Sequence, residues 1–258
     1  KYDDATKLGK DSHSWLGRLN NIRTALQGQQ GDRRLRLGIA GGEWKKMMAD
    51  ATARTRFASE VKKIIEQYDF DGVDFDFEWP ANASEYNNYS ATVIQMRSTL
   101  GKYVYFTVSL HPVSFKISPE AIDALDFISY QCYGPAVMRF PYEQFVKDGE
   151  AAVAYGIPKN KLVMGVPFYG STGSLIAAYC DFVNDGLATT NEDTYTYKGN
   201  TYTFNSIETI RKKARYVCEE DYAGIMSWDL ATDIDITNNK SLLKVIKEEF
   251  EYYANPTE

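Results

Sequence analysis

Three acidic side chains stand at every second position of one short segment: Asp74, Asp76 and Glu78. In a β-strand alternate side chains share a face, so the acids point one way and the apolar residues between them point the other. Carboxyl groups held side by side away from water repel one another, which should raise the pKa of at least one of them. A carboxyl that stays protonated near neutrality can act as a general acid. Glu78 is the last acid before Pro80 ends the strand, which favours it as the proton donor.

Other interpretations of this acidic segment fit less well. A calcium loop needs a different spacing, because Phe75 and Asp76 occupy the wrong positions. A solvated edge strand is disfavoured because the residues between the acids are large and apolar. A magnesium site built on Asp74 and Asp76 stays open as an alternative. We favour the catalytic interpretation, and we expect no metal and no cofactor.

Strand and helix patterns alternate from about residue 35 onward. Apolar or alternating segments predict six strands: Leu35–Ala40, Gly72–Phe77, Tyr103–Leu110, Ala124–Tyr133, Lys161–Val166 and Ala223–Trp228. Helical spacing predicts helices at Arg54–Tyr68, Tyr86–Leu100, Phe145–Tyr155, Ser206–Glu219 and Ser241–Tyr253. Strands separated by helices are typical of parallel βαβ units.

Six such strands suit either an open doubly wound sheet or a TIM (β/α)8 barrel. The glycines of Gly38–Gly42 do not form a dinucleotide-binding fingerprint, and no phosphate-binding loop is present, which favours the barrel. Residues 1–34 contain one plausible helix, Ser14–Leu26, and no convincing strand. We therefore predict an α/β barrel whose first one or two strands are missing from this chain or unrecognisable in it. Residues 1–258 are expected to form a single catalytic domain.

Composition excludes several classes of partner. The chain has 258 residues and a net charge of -6, which does not favour binding to nucleic acid. No apolar run approaches the roughly 18 residues of a membrane-spanning helix. We expect a monomer.

Cysteine and histidine are both scarce. Cys132 lies in an apolar run and is expected to be an inert core thiol, and a Cys180–Cys218 disulfide remains an alternative. A Ser-His-Asp triad would have to use His13 or His111, and neither is accompanied by a nucleophile elbow.

The acidic segment, read from Asp71 to Glu78, resembles the DxxDxDxE pattern of family 18 glycoside hydrolases, which include chitinases and endo-β-N-acetylglucosaminidases. Gly38–Trp44 resembles the SxGG strand of that family, with Gly38 where serine is usual. Gly165–Gly170 resembles its seventh strand, and Gly224–Asp229 resembles its eighth. The resemblance covers roughly residues 35 to 250.

This resemblance implies an eight-stranded barrel and a retaining mechanism in which the substrate's own acetamido group attacks. Glu78 would protonate the glycosidic oxygen, and Asp76 would accept the acetamide N–H and shield the developing positive charge. Asp74 would tune Asp76 from behind. The hydroxyl of Tyr133 would hold the acetamide oxygen, and Trp228 would stack beneath the sugar.

The sequence departs from the family after the sixth strand. Chitinases often carry Met-x-Tyr-Asp there, whereas this chain has Gln131, Cys132, Tyr133 and Gly134. Gly134 removes a carboxylate that often helps to hold the sugar. Gln131 is a candidate substrate-binding residue, with a satisfied core amide as its alternative. Tyr169, Trp44 and Trp79 are further candidates for lining the cleft, although either tryptophan could simply pack in the core.

We expect hydrolysis of β-1,4-linked N-acetylglucosamine chains by an enzyme that is secreted, periplasmic or on the cell surface. The alternatives are an endo-β-N-acetylglucosaminidase acting on N-glycan cores and a non-catalytic chitin-binding lectin on the same barrel. Between the seventh and eighth strands we predict only a small hairpin at Thr194–Phe204, with no large insertion domain. Short loops leave little surface for separate antenna pockets, which favours a linear, unbranched substrate.

Overall fold

A six-stranded parallel sheet dominates the computed structural model, which describes residues 15–27, 33–188 and 191–255. The strands, in their order across the sheet, are β1 Arg36–Gly41, β2 Gly72–Phe77, β3 Tyr105–Leu110, β4 Phe127–Tyr130, β5 Leu162–Pro167 and β10 Gly224–Trp228. The strands β6 to β9 between β5 and β10 form a second sheet, described below. All six predicted strands are thus confirmed, although several are shorter than predicted.

Helices connect and follow these strands. They are α1 Trp15–Leu26, α2 Lys45–Ala49, α3 Ala51–Gln67, α4 Ala83–Leu100, α5 Pro119–Asp123, α6 Tyr142–Tyr155, α7 Tyr179–Asn184, α8 Ile207–Glu219 and α9 Leu242–Ala254. Several begin at a residue whose side chain accepts a hydrogen bond from the first turn: Asp50, Asn82, Ser118, Ser206 and Ser241. Such caps satisfy backbone N–H groups that have no partner within the helix, and each typically contributes about 1 kcal/mol.

The alternation of β2 divides the core from the cleft. Val73, Phe75 and Phe77 are fully buried, whereas the acids between them keep contact with solvent. Phe75 packs against Phe57 of α3 and Tyr89 of α4, with ring centroids 5.4 and 5.5 Å apart. Burying a large apolar side chain stabilises the fold by about 1.5–3 kcal/mol, so this side of β2 fixes which way the acids face.

The six-stranded sheet has β1 and β10 at its two edges among the described residues. β1 pairs with β2, and β10 pairs with β5, so each edge strand has one partner among the described residues. Within the described ranges no strand precedes Arg36.

A second, antiparallel sheet lies between β5 and β10. Its strands, in the order β7-β6-β9-β8, are β6 Tyr169–Ser171, β7 Ile176–Ala178, β8 Thr194–Tyr197 and β9 Asn200–Thr203. The predicted hairpin is confirmed, with Lys198 and Gly199 both at positive φ in its turn. This hairpin is part of the larger sheet, because β9 also pairs with β6 through Ser171 and Thr203.

The three cysteines form no disulfide bond with one another. Cys132, Cys180 and Cys218 are all free, so the alternative Cys180–Cys218 disulfide is wrong. Cys132 is buried, and burial raises the pKa of its thiol well above the usual range, as expected of an inert core cysteine. His13 lies outside the described residues. No helix in the described part of the chain is long and apolar enough to cross a membrane.

Candidate active site

A cleft of about 250 Å³ opens at the carboxyl ends of the barrel strands. Parallel strands end at the same edge of the sheet, so residues distant in sequence meet there. The lining residues are Asp76, Glu78, Trp79, His111, Gln131, Tyr133, Gly134, Pro135, Tyr169 and Trp228. Most of the predicted site residues therefore come together in one cavity.

The acidic row of β2 leads into this cleft. Burial, followed by the nearby carboxylates of Glu78 and Asp74, raises the pKa of Asp76 to about 7. One oxygen of Asp76, Oδ1, is buried with no hydrogen-bond partner. Glu78 is exposed to solvent at the end of the row. The pKa elevation expected from crowded acids thus falls on Asp76, next to the carboxyl group that faces the cleft.

Asp74 is surrounded by hydrogen-bond donors rather than by open solvent. Ser109 donates to Oδ2 at 2.7 Å, and Thr107 donates to Oδ1. Arg36 places Nη1 3.4 Å from the same Oδ1. Asp74 lies deeper in the barrel than the cleft and is not among the residues that line it, which fits a role behind Asp76.

Gln131 and Tyr133 follow β4 and line the same cleft as the acids. The Nε2 of Gln131 lies 3.5 Å from Oε1 of Glu78, while its own Oε1 is buried without a partner. The hydroxyl of Tyr133 lies 3.5 Å from Sδ of Met226, a weak acceptor. Burial raises the pKa of Tyr133 well above its usual range, so the hydroxyl keeps its proton and can donate it to a ligand.

His111 lines the cleft and was not singled out for this site by the sequence. Its Nε2 lies 2.6 Å from the carbonyl oxygen of Gly134 and 3.0 Å from that of Tyr133. Its Nδ1 accepts a hydrogen bond from the backbone N–H of Val113, which assigns the proton to Nε2. Burial lowers the pKa of His111, which favours this neutral form. The signal available in the sequence was its position directly after a strand that ends at the cleft.

The aromatic candidates divide between the cleft and the core. Trp228, at the end of β10, lines the cleft with 57% of its surface exposed. Trp79 also lines it and packs against His111, with ring centroids 5.0 Å apart. Tyr169, the first residue of β6, also lines the cleft. Trp44 is not among the residues that line this cleft: its ring packs on Phe57 and Phe75, as in the core-packing alternative.

A buried polar network supports the wall around Tyr169. The ring of Phe140 packs against Tyr169 with centroids 5.6 Å apart. The Phe140 carbonyl accepts hydrogen bonds from Lys213 Nζ at 2.7 Å and from Asn205 Nδ2 at 2.8 Å. Lys213 is fully buried, and burial lowers its pKa to about 7. This network ties α8 to the segment that follows the cleft residues of β4.

Metal binding was left open for Asp74 and Asp76. Across residues 15–27, 33–188 and 191–255, no group of three or more His, Cys, Asp or Glu side chains is arranged to hold a metal ion. The donors around Asp74 are hydroxyl and guanidinium groups, which already occupy the oxygens that a cation would need.

Comparison with known proteins points to one family. The family model described as glycosyl hydrolases family 18 matches residues 3–233. A curated relative, probable chitinase 2 of Drosophila melanogaster, is 23% identical over 84% of this chain and 60% of its own length. The chain therefore spans less than two thirds of this relative.

Solved structures show the same fold. A chitinase from Bacteroides thetaiotaomicron matches with a TM-score of 0.77 and 23% identity, covering 93% of this chain and 82% of the other. A chitinase-like agglutinin from Robinia pseudoacacia matches with a TM-score of 0.73 and 18% identity, covering 90% of this chain and 84% of the other. The predicted TIM barrel fold is thereby confirmed.

Proposed function

The chain belongs to glycosyl hydrolase family 18, and we propose that it hydrolyses β-1,4-linked N-acetylglucosamine chains. The observation that carries this proposal is the grouping of Glu78, Asp76 and Tyr133 in one cleft. A solvent-facing carboxyl, an acid with a pKa of about 7 and a protonated phenol are the groups that an acetamido-assisted cleavage requires.

In the proposed reaction Glu78 gives its proton to the glycosidic oxygen while the bond between that oxygen and the anomeric carbon breaks. The acetamido oxygen of the same sugar forms a bond to the anomeric carbon, which gives an oxazolinium ion. Asp76 accepts the acetamide N–H through its buried, unpartnered oxygen, and Tyr133 donates its hydroxyl to the acetamide oxygen. Glu78 then takes a proton from the water that attacks the anomeric carbon while the bond from that carbon to the acetamido oxygen breaks, which restores the acetamido group and retains the β configuration.

The remaining cleft residues have proposed binding roles. Trp228 presents an exposed ring on which the distorted sugar stacks, and Trp79 and Tyr169 contribute further aromatic surface to the cleft. Gln131 keeps its amide near Glu78, where it orients the carboxyl group.

A linear substrate is favoured by the shape of the cleft. Among the described lining residues, Tyr169 alone comes from the antiparallel sheet between β5 and β10, although that sheet is larger than the predicted hairpin. The cleft is therefore built almost entirely from short loops after the barrel strands, which suits an unbranched chain. We propose non-processive cleavage of soluble oligomers, with weak action on crystalline chitin.

Two other functions remain as alternatives. An endo-β-N-acetylglucosaminidase would use the same acids on the core of an N-glycan. A sugar-binding protein without activity is the second, since an agglutinin shares this fold. Glu78 argues against the second, because a protein that only binds sugar has no need for a proton donor at the head of the cleft. A polymeric glycan substrate lies outside the cytoplasm, so we also propose that the protein is exported.

Incubation with chitotetraose and, at matched concentration, with a high-mannose glycoprotein tests these proposals. We expect chitobiose-sized products by mass spectrometry, appearing first as the β-anomer by NMR. Faster release of N-glycans would favour the endo-β-N-acetylglucosaminidase, and binding without cleavage would favour the lectin. An initial α-anomer would overturn the acetamido-assisted mechanism.

A further inference from the structure

A cation approaches the acidic row from the neighbouring strand. Arg36 and Gly38 of β1 pair in parallel register with Gly72 and Asp74 of β2. Register partners in adjacent strands point to the same face of a sheet, so the Arg36 side chain lies on the face that carries the acids. Its Nη1 lies 3.4 Å from Oδ1 of Asp74, and it also donates to the hydroxyl of Thr107.

This contact belongs to a chain of hydrogen bonds in which every donor points towards Asp74. Arg36 donates to Thr107, and the Thr107 hydroxyl has one proton, which it donates onward to Oδ1 of Asp74. Ser109 donates to the other oxygen of Asp74 at 2.7 Å. Both oxygens therefore accept, and a proton on Asp74 would displace one of these donors. The structure thus favours a proton on Asp76 over one on Asp74.

The Arg36 guanidinium is held in this orientation by its surroundings. Its carbon Cζ lies 4.7 Å from the centre of the Phe127 ring, and 27% of its side chain is exposed. At Gly38, the residue directly paired with Asp74, an added Cβ would meet no atom within 4 Å. Position 38 supplies no side-chain donor, so among the described residues of β1 the donor to Asp74 comes from Arg36.

We propose that Arg36 is a positioning residue for the proposed reaction: it holds Asp74 as a hydrogen-bond acceptor and offsets the negative charge by which Asp74 opposes the ionisation of Asp76. The inference rests on the proposed function for its meaning, because Asp76 is the group that receives the acetamide. Arg36 itself lies behind the cleft and acts through Asp74.

Several other groups influence the same row and must be considered with Arg36. Glu78 directly follows β2, Tyr133 follows β4, and Tyr89 comes from α4, where it donates to the Phe75 carbonyl. The row is also contacted by the hydroxyls of Thr107 and Ser109 and by the amide of Gln131, all described above. Arg36 is the cation that forms an ion pair with this row in the described part of the chain.

Removing the cation should favour the protonated acids. In Arg36→Gln we expect the titration midpoint of Asp76 to rise by about half a pKa unit or more, because a nearby positive charge stabilises carboxylates. Arg36→Lys keeps the charge and should stay close to the wild type. Arg34→Gln is the matched control: it removes the same charge two residues earlier, from a guanidinium that stacks on Tyr105 at 3.9 Å.

The measurement is a 13C NMR titration of aspartate carboxyl carbons, with the Asp76 resonance assigned from Asp76→Asn. Neighbouring acids influence each other's titration, so a midpoint belongs to the coupled row rather than to one residue. We therefore compare the midpoint observed at the Asp76 carboxyl carbon between the wild type and each variant. Arg36→Gln in an Asp74→Asn background should give a smaller shift than it gives alone, since Arg36 acts through Asp74. If Arg36→Gln does not fold, Arg36→Met replaces it in the same comparison.

Two results would overturn the inference: a midpoint in Arg36→Gln that coincides with the wild type, or an equal shift in Arg34→Gln. The titration needs no substrate, so its outcome is independent of turnover. Failure of the wild-type protein to cleave chitotetraose would instead count against the proposed function. In an active protein, the acid limb of the pH profile of kcat/KM should shift to higher pH in Arg36→Gln. A merely structural defect would instead lower kcat/KM equally at every pH.

Discussion

The hydroxyl of Tyr169 occupies the space that a side chain at Gly134 would need. A Cβ on Gly134 would lie 2.9 Å from that hydroxyl, and Gly134 has a φ of +41°. Position 134 is where the resemblance to chitinases leads one to expect an aspartate. The absence of that carboxylate is therefore linked to the position of Tyr169. Glycine at position 134 leaves space for the Tyr169 hydroxyl at the wall of the cleft.

Gly134→Ala should displace Tyr169 and strain the turn after Tyr133. We expect kcat/KM on chitotetraose to fall about tenfold to a hundredfold, because small misplacements of groups around a reacting centre are costly. The matched control is Gly156→Ala, at the end of α6, where φ is +118° and an added Cβ meets nothing within 4 Å. Gly156→Ala should lower the melting temperature while leaving kcat/KM unchanged. Equal activities in the two variants would show that the contact with Tyr169 has no role.

Glu78→Gln should abolish most turnover while leaving the fold and sugar binding intact. The amide has nearly the same shape but cannot give up a proton, and general acid catalysis contributes about 10²–10⁴-fold. Glu60→Gln is a suitable control, because Glu60 lies on the exposed side of α3 in an ion pair with Lys63. Activity is measured on chitotetraose and binding by calorimetry. Retention of more than about a tenth of wild-type activity would contradict the assignment.

Asp76 should make the protein less stable as the pH rises. Its pKa in the folded protein is about 7, raised from an ordinary value of 3.8, so the folded state binds the proton more tightly than the unfolded state. Stability should therefore be highest below about pH 4 with respect to this group and decline up to about pH 7. The full shift corresponds to about 4 kcal/mol, and contact with solvent reduces our expectation to about 2 kcal/mol.

Asp76→Asn removes this ionisation and tests the expectation directly. The free energy of unfolding in urea, measured from pH 4 to pH 8, should fall less steeply in Asp76→Asn than in the wild type. The relative stability of the variant should thus increase with pH. Parallel pH dependences for the two proteins would contradict the raised pKa of Asp76.

His111 should support the cleft through its Nε2–H rather than through its charge. The amide nitrogen of a glutamine can approach the position of Nε2, whereas that of an asparagine approaches Nδ1. His111→Gln should therefore keep a donor for the carbonyls of Tyr133 and Gly134, which His111→Asn leaves unpaired at a cost of about 1–3 kcal/mol. We expect His111→Gln to retain the higher kcat and melting temperature. The opposite order would show that these carbonyl contacts are unimportant.

The sequence alone determined the strands and the direction of the acids. Alternation in β2 separates Val73 and Phe75 from Asp74 and Asp76, and this period of two is a local property of an extended chain. The order of strands and helices likewise indicated the barrel, because parallel strands need crossover connections. The residues around Glu78 were found in the sequence by their resemblance to a family.

Only the tertiary structure decided which side chains share an environment. Trp44 and Trp79 look alike as candidates in the sequence, yet one packs on Phe57 and the other lines the cleft. The contacts of Arg36 with Asp74 and of His111 with Gly134 join residues 38 and 23 positions apart. Such contacts depend on strand register and on the loops that follow each strand, and no local pattern of residues encodes either.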